Sequence, residues 1–214
     1  MPDLLITTLH GETAQDGPLF KAIPDLREHL HPDDAKVFGD YLDLDTDPYT
    51  ESLAWEFILQ LREKRPELYV RWAQVKVHRA VLDCNRRFFT DAARKVWNPE
   101  MDHGDLLARL ELIHEETMAT LLEASNGVHR VFDIHSMYPF SPAAPKVPGH
   151  QALQEQGGRL REYVDLYLQS PYKGTPRPVD VMVRDGLGKE VANPRLAAEL
   201  LMGLQTAGLH ARAD

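Results

Sequence analysis

The chain is short of the residues that would cross-link it, fix it in a membrane or dock it on nucleic acid. Its 214 residues include one cysteine, Cys84, so no internal disulfide can form and the sequence fits a reducing, cytoplasmic compartment. Exposed, that thiol would be reactive; at the end of the run VLDC it is expected to be a small buried filler. No run of Lys and Arg appears and the net charge is -9, which argues against a nucleic-acid surface, because phosphate binding draws on clustered cations. No apolar stretch approaches the roughly 20 residues that cross a bilayer, and the opening MPDLLITTLHGE carries an acid where a targeting leader has basic residues. What is present, 43% hydrophobic and 27% charged residues, is the composition of a globular protein, and the length predicts a single domain over residues 1–214.

Strand-like and helix-like patterns alternate. LLITTL (4–9) reads as a strand and DPYTESLAWEFILQLREKR (47–65) as a helix capped by Asp47 with Pro48 at its first position. In VKVHRAVLDCNRRFF the alternation of Val75, Val77 and Val81 predicts a second strand. A helix over 102–124 ends at Asn126-Gly127, and VHRVFDI (128–134) has the β-branched and aromatic character of a buried strand. The Pro-, Gly- and Ala-rich stretch 138–160 predicts a long loop over one face of the sheet. RPVDVMV then predicts a strand, and NPRLAAELLMGLQTAG a helix with Asn193 as cap, Pro194 next and Gly208 past its end. This order predicts an α/β fold in three layers, a mixed, mainly parallel sheet with helices on both faces.

In such sheets ligands gather at the carboxyl ends of the strands. Three predicted strands deliver polar side chains there: His10 after the first, Asn85 and Arg86 after the second, and Asp133 and His135 on the third. Each has an ordinary structural reading, as a packed histidine, a surface ion pair or a helix cap; the combination carries the functional one. A serine nucleophile at Ser136, beside His135, is disfavoured because no Gly-x-Ser-x-Gly elbow is present.

The segments TTLHGE, DLDTDPYTESL, HRAVLDCNRRF, VFDIHSM and PVDVMVRDGLGKEVANPRLAAELLMGLQTAGL resemble, in this order, those of the N-formylglutamate amidohydrolases, a family similar in turn to the zinc carboxypeptidases and aspartoacylases. The resemblance covers most of the chain, is weak between the segments, and is most specific in VLDCNR with FDIHS. It implies the fold of the zinc-dependent exopeptidases and hydrolysis of an N-formyl or N-acyl amino acid. One zinc per chain is implied, held by His10, His135 and a carboxylate, since catalytic zinc takes about three protein ligands and leaves a place for water. Asp47 is the favoured carboxylate, with Glu12 and Glu51 the alternatives; Glu12 comes one residue early for the superfamily's His-x-x-Glu turn, and the first segment reads Leu9-His10-Gly11-Glu12 where the family shows a Pro-His-Ser-Gly-like turn.

Asp133 either orients the His135 imidazole, as carboxylates do behind metal-bound histidines, or is a structural aspartate bonded to backbone. The resemblance implies that Asn85 and Arg86 grip the free carboxylate of a small-molecule substrate, for which a guanidinium fork is suited. Arg79 either polarises the scissile carbonyl or pairs with Asp83. In the relatives a further strand, a glycine-rich loop and a late glutamate base follow the last of these segments, where this sequence stops; the expectation is that the base lies downstream or has been lost, with Glu12 and Glu51 the first acids to test if it lies within these residues. A carboxypeptidase-like deacylase acting on a larger substrate and a non-catalytic binding module are the alternatives.

Overall fold

The computed structural model describes residues 3–9, 18–44, 46, 49–88, 103–135, 160–169, 179–181, 183, 189–190 and 192–213. Its first strand, β1 (Leu4–Thr8), is buried along its whole length, as a near-continuous apolar run requires when both faces are covered. On one side it pairs in parallel with β2 (Val70–Gln74), from Leu4 opposite Val70 to Thr8 opposite Gln74. On the other it pairs in parallel with β3 (Val131–Asp133), from Leu5 opposite Val131 to Thr7 opposite Asp133. The sheet order is therefore β2-β1-β3.

The pleat sorts these residues by parity. Leu4, Ile6 and Val70 form one cluster with Ala54 and Ile58, joined by Phe57, Leu61, Trp72, Phe132 and Ile134; α4 (Thr50–Lys64), the crossover from β1 to β2, covers this face. Arg71, of the opposite parity, donates from Nη1 to the carbonyl of Ala124 at 2.8 Å, near the end of α5 (Gly104–Ser125), the crossover from β2 to β3. The path thus moves outward to β2 and returns past β1 to β3, and among the described residues α4 lies on one face and α5 on the other. An order of 2-1-3 puts a topological switch point between β1 and β3, where open α/β sheets hold their ligands. The α/β class with a parallel sheet and helices on both faces is the one expected.

Ahead of α4 lie α1 (Pro18–Ala22), a 3-10 turn at Leu26–His29, α2 (Pro32–Ala35) and α3 (Phe38–Leu44). The ring of Tyr41 meets that of Tyr163 edge-on at 5.8 Å, on α6 (Leu160–Leu168). The buried Asp34 caps α6, its Oδ1 accepting the N–H of Leu160 at 3.0 Å. Arg109 on α5 grips Asp25 through both terminal nitrogens, at 3.2 and 3.1 Å.

The chain divides into two compact units, residues 1–138 with 146–171 and residues 139–145 with 172–214. In the second, β4 (Val179–Val181) pairs in parallel with β5 (Ala211–Ala213), and α7 (Pro194–Thr206) connects them. Asn193 Oδ1 accepts the N–H groups of Arg195 and Leu196, both at 3.1 Å, and Gly208, at φ 81°, turns the chain out of the helix.

Three expectations are corrected. The second strand lies earlier than the valine alternation implies: it is Val70–Gln74, and 75–88 is a run of turns. Val75, Val77 and Val81 are buried, but the turns bury them, with the Val81 and Leu82 N–H groups both bonded to the His78 carbonyl. α4 begins at Thr50, after Tyr49 in the left-handed region at φ 63°, later than a cap at Asp47 would start it; a left-handed residue cannot continue a helix backwards. Finally, β3 is an edge of the described sheet, and Val131 is 54% exposed, because among the described residues only the Phe132 side of the strand is covered. The bulk of the expected loop 138–160 lies outside the described residues, and no described helix is long and apolar enough to cross a membrane.

Candidate functional site

At the carboxyl end of the switch point, register places Thr7 directly opposite Asp133, so their side chains leave the sheet on one face, and His135 follows two residues on. The Thr7 hydroxyl donates to Asp133 Oδ1 at 2.9 Å. The other carboxylate oxygen, Oδ2, lies 2.8 Å from His135 Nε2. With an ionised carboxylate as acceptor, Nε2 carries the proton, and in the neutral imidazole Nδ1 then holds the lone pair. Of the two readings of Asp133, the orienting geometry is the one observed. The His135 side chain is 30% exposed, so the group sits at the rim of the sheet.

A second cluster is built by the turns after β2. Asp83, 4% exposed, accepts the N–H of Asn85 at 3.0 Å, the local side-chain-to-backbone bond that makes Asp a turn former. The same carboxylate lies 3.9 Å from Arg79 Nη2 and 3.9 Å from Arg86 Nε. A buried carboxylate requires such partners, and Arg79 supplies one of them. The Arg86 side chain is 60% exposed, and Asn85 is exposed. The Arg86 carbonyl accepts from His114 Nε2 on α5 at 2.8 Å, which anchors the segment. Asn85 and Arg86 therefore stand in a turn and not at a strand end, as the displaced second strand dictates.

His78, in the same segment, is buried and takes part in the framework. Its Nδ1 accepts the N–H of Ala80 at 3.1 Å, so its proton is on Nε2, which meets Thr46 Oγ1 at 3.0 Å. The Thr46 hydroxyl gives its own hydrogen to the Leu42 carbonyl at 2.8 Å. Donor and acceptor roles close only for neutral His78 in this tautomer, and the result ties the turns to the end of α3. Cys84 is buried, as expected. Burial, reinforced by the negative charge of Asp83 and opposed by a bond from Thr117, pushes its thiol up to about 12.

His10, Glu12 and Asp47 lie outside the described residues. Glu51 stands half-buried in the first turn of α4. Among the described residues no three His, Cys, Asp or Glu side chains form a group able to hold a metal ion, so a metal at His135 would need ligands from the others. Sequence reasoning missed Thr7 and undervalued Asp83. Nothing in LLITT marks Thr7 apart from Thr8, because the partner strand decides which hydroxyl meets a carboxylate.

No protein-family model matches the chain, and no curated protein matches it. Among solved structures it is similar to the gene product Atu2144 from Agrobacterium tumefaciens, at 20% sequence identity and a TM-score of 0.47, over 99% of this chain and 68% of that one.

Proposed function

We propose that the chain is a zinc-dependent hydrolase that cleaves the amide bond of an N-formyl or N-acyl amino acid, with N-formylglutamate the type of substrate. The observation that carries this reading is the 2.8 Å contact of Asp133 Oδ2 with His135 Nε2 at the carboxyl end of a parallel sheet. A carboxylate behind one imidazole nitrogen fixes the tautomer and makes the other nitrogen a better ligand. His135 fits a metal in that respect, and His10 with an acid from Asp47, Glu12 and Glu51 would complete the set. Zinc held there would lower the pKa of a bound water towards about 7 and polarise the amide carbonyl.

The chain's own groups supply recognition. Arg86 is exposed and its pairing with Asp83 is long, at 3.9 Å, so a substrate carboxylate approaching as a bidentate partner forms the stronger contact. Asn85 adds amide donors beside it, and Asp83, holding the Asn85 N–H, fixes the turn that carries both. Arg79, tethered to the same carboxylate, is the cation available to the developing oxyanion.

Metal analysis of the purified protein, with hydrolysis of N-formyl-L-glutamate, tests the reading. About one zinc per chain is expected, and His135→Ala is expected to lose metal and activity together. Full zinc content in His135→Ala would contradict the assignment, and a metal-free protein that still binds acidic ligands through Arg86 would mark it as a binding module.

A further inference from the structure

The contact behind His135 does not stand alone, because Asp133 is itself held from the neighbouring strand. Thr7 is 6% exposed, and as a β-branched residue it has few χ1 choices. Its hydroxyl has two acceptors in range, the Phe132 carbonyl at 3.5 Å and Asp133 Oδ1 at 2.9 Å. One hydrogen serves one of them well, and the shorter, charge-assisted bond takes it. The backbones on both sides are fixed: Thr7 and Asp133 are register partners, and the Ile134 N–H closes the ladder on the Thr7 carbonyl at 2.9 Å. What remains free is rotation of the Asp133 carboxylate about its own side-chain bonds. Asp133 is exposed at the edge of the described sheet, where water competes for both oxygens.

We infer that Thr7 is a positioning residue for the His135 site: its hydroxyl, given to Asp133 Oδ1, sets the carboxylate so that Oδ2 meets His135 Nε2. Thr7 touches neither substrate nor metal and acts through Asp133 alone. The inference rests on the reading of His135 as a zinc ligand, and it adds a residue of β1 that no sequence motif singles out. Valine at position 7 keeps the shape of threonine and removes the donor. Oδ1 then turns to solvent, so the fold loses little while the imidazole loses its fixed partner.

The test is zinc affinity, measured by competition with a chelator on metal-stripped protein, across a double-mutant cycle. Thr7→Val is expected to weaken zinc binding roughly 2- to 10-fold, the scale of one hydrogen bond, and Asp133→Ala about 10- to 100-fold, the scale of lost support behind a ligand. Thr7→Val added to Asp133→Ala is expected to change nothing further, and Thr7→Ser to restore the wild-type value. Urea denaturation of each variant keeps folding apart from binding, and Thr7→Ala stands in if the valine variant does not fold. Wild-type zinc affinity in Thr7→Val overturns the inference and leaves the reading of His135 intact. So does an equal loss from Thr7→Val with and without Asp133, which would mark a packing role. Absence of zinc binding by the wild-type protein overturns the reading of His135 itself, and the role of Thr7 with it.

Discussion

Asp83 and Arg86 face each other at 3.9 Å, three residues apart in one turn, with the carboxylate 5% exposed and the guanidinium side chain 60% exposed. The pair has a fixed half and a movable half. Arg86 can leave Asp83 for a substrate carboxylate without stranding it, because Asp83 keeps the Asn85 N–H and Arg79.

That asymmetry predicts a substrate-dependent defect. Arg86→Lys keeps the charge and loses the fork, so kcat/KM for N-formyl-L-glutamate should fall by about 10-fold or more, while the dimethyl ester, which has no free carboxylate, changes by less than about 3-fold, on the scale of one charge-assisted bond. Steady-state kinetics on both substrates checks this, and equal losses would remove Arg86 from carboxylate recognition.

His78 should behave as framework in spite of its place beside the Arg79 cluster. His78→Ala leaves the Ala80 N–H without its acceptor and Thr46 without its donor, a cost of about 1–3 kcal/mol. Urea denaturation should show that loss, with zinc content per folded molecule unchanged; a stable variant that has lost its metal would place His78 among the ligands instead.

Cys84 sets a prediction at high pH. Its thiol stands at about 12 in the folded chain against an ordinary value of 9.0. The folded state therefore binds the proton more tightly than the unfolded state, so the associated stability is complete below pH 9 and is lost as the pH rises towards 12. Two measurements follow: thiol labelling at pH 8 should proceed only through unfolding, and Cys84→Ala should flatten the decline in stability above pH 9. Rapid labelling of the native protein at pH 8 would contradict the burial.

Tyr49 carries backbone strain at φ 63° where α4 begins, and its side chain is 75% exposed. The left-handed region costs a side-chain-bearing residue about 1–2 kcal/mol, most of which glycine avoids. Tyr49→Gly should leave the melting temperature unchanged or raise it, whereas Tyr49→Val should lower it. The reverse order would show that Tyr49 makes contacts worth more than the strain.

How much could be read in advance depended on whether the signal was local. The caps of α7 were legible because Asn193, Pro194 and Gly208 each act within a few residues, and Gly127, at φ 71°, ended α5 for the same reason. The second strand was misplaced because turns can bury valines at alternating positions as a strand does, and the bonds that make those turns come from the side chains of His78 and Asp83. His135 was legible as a polar residue at a strand end. Its support was not, since Thr7 and Asp133 lie 126 residues apart and only the parallel register joins them. A single sequence shows which residues share a face of a strand and leaves open which strand faces them.

The central claim is that His135, braced by Asp133, is a metal ligand. Diffraction from crystals grown with zinc, recorded on both sides of the zinc absorption edge, tests it most directly. The account predicts one strong anomalous peak per chain, bonded to His135 Nδ1 at about 2.0–2.1 Å, with Nε2 still on Asp133. A map with no peak at His135, or with zinc bound only elsewhere, would contradict it.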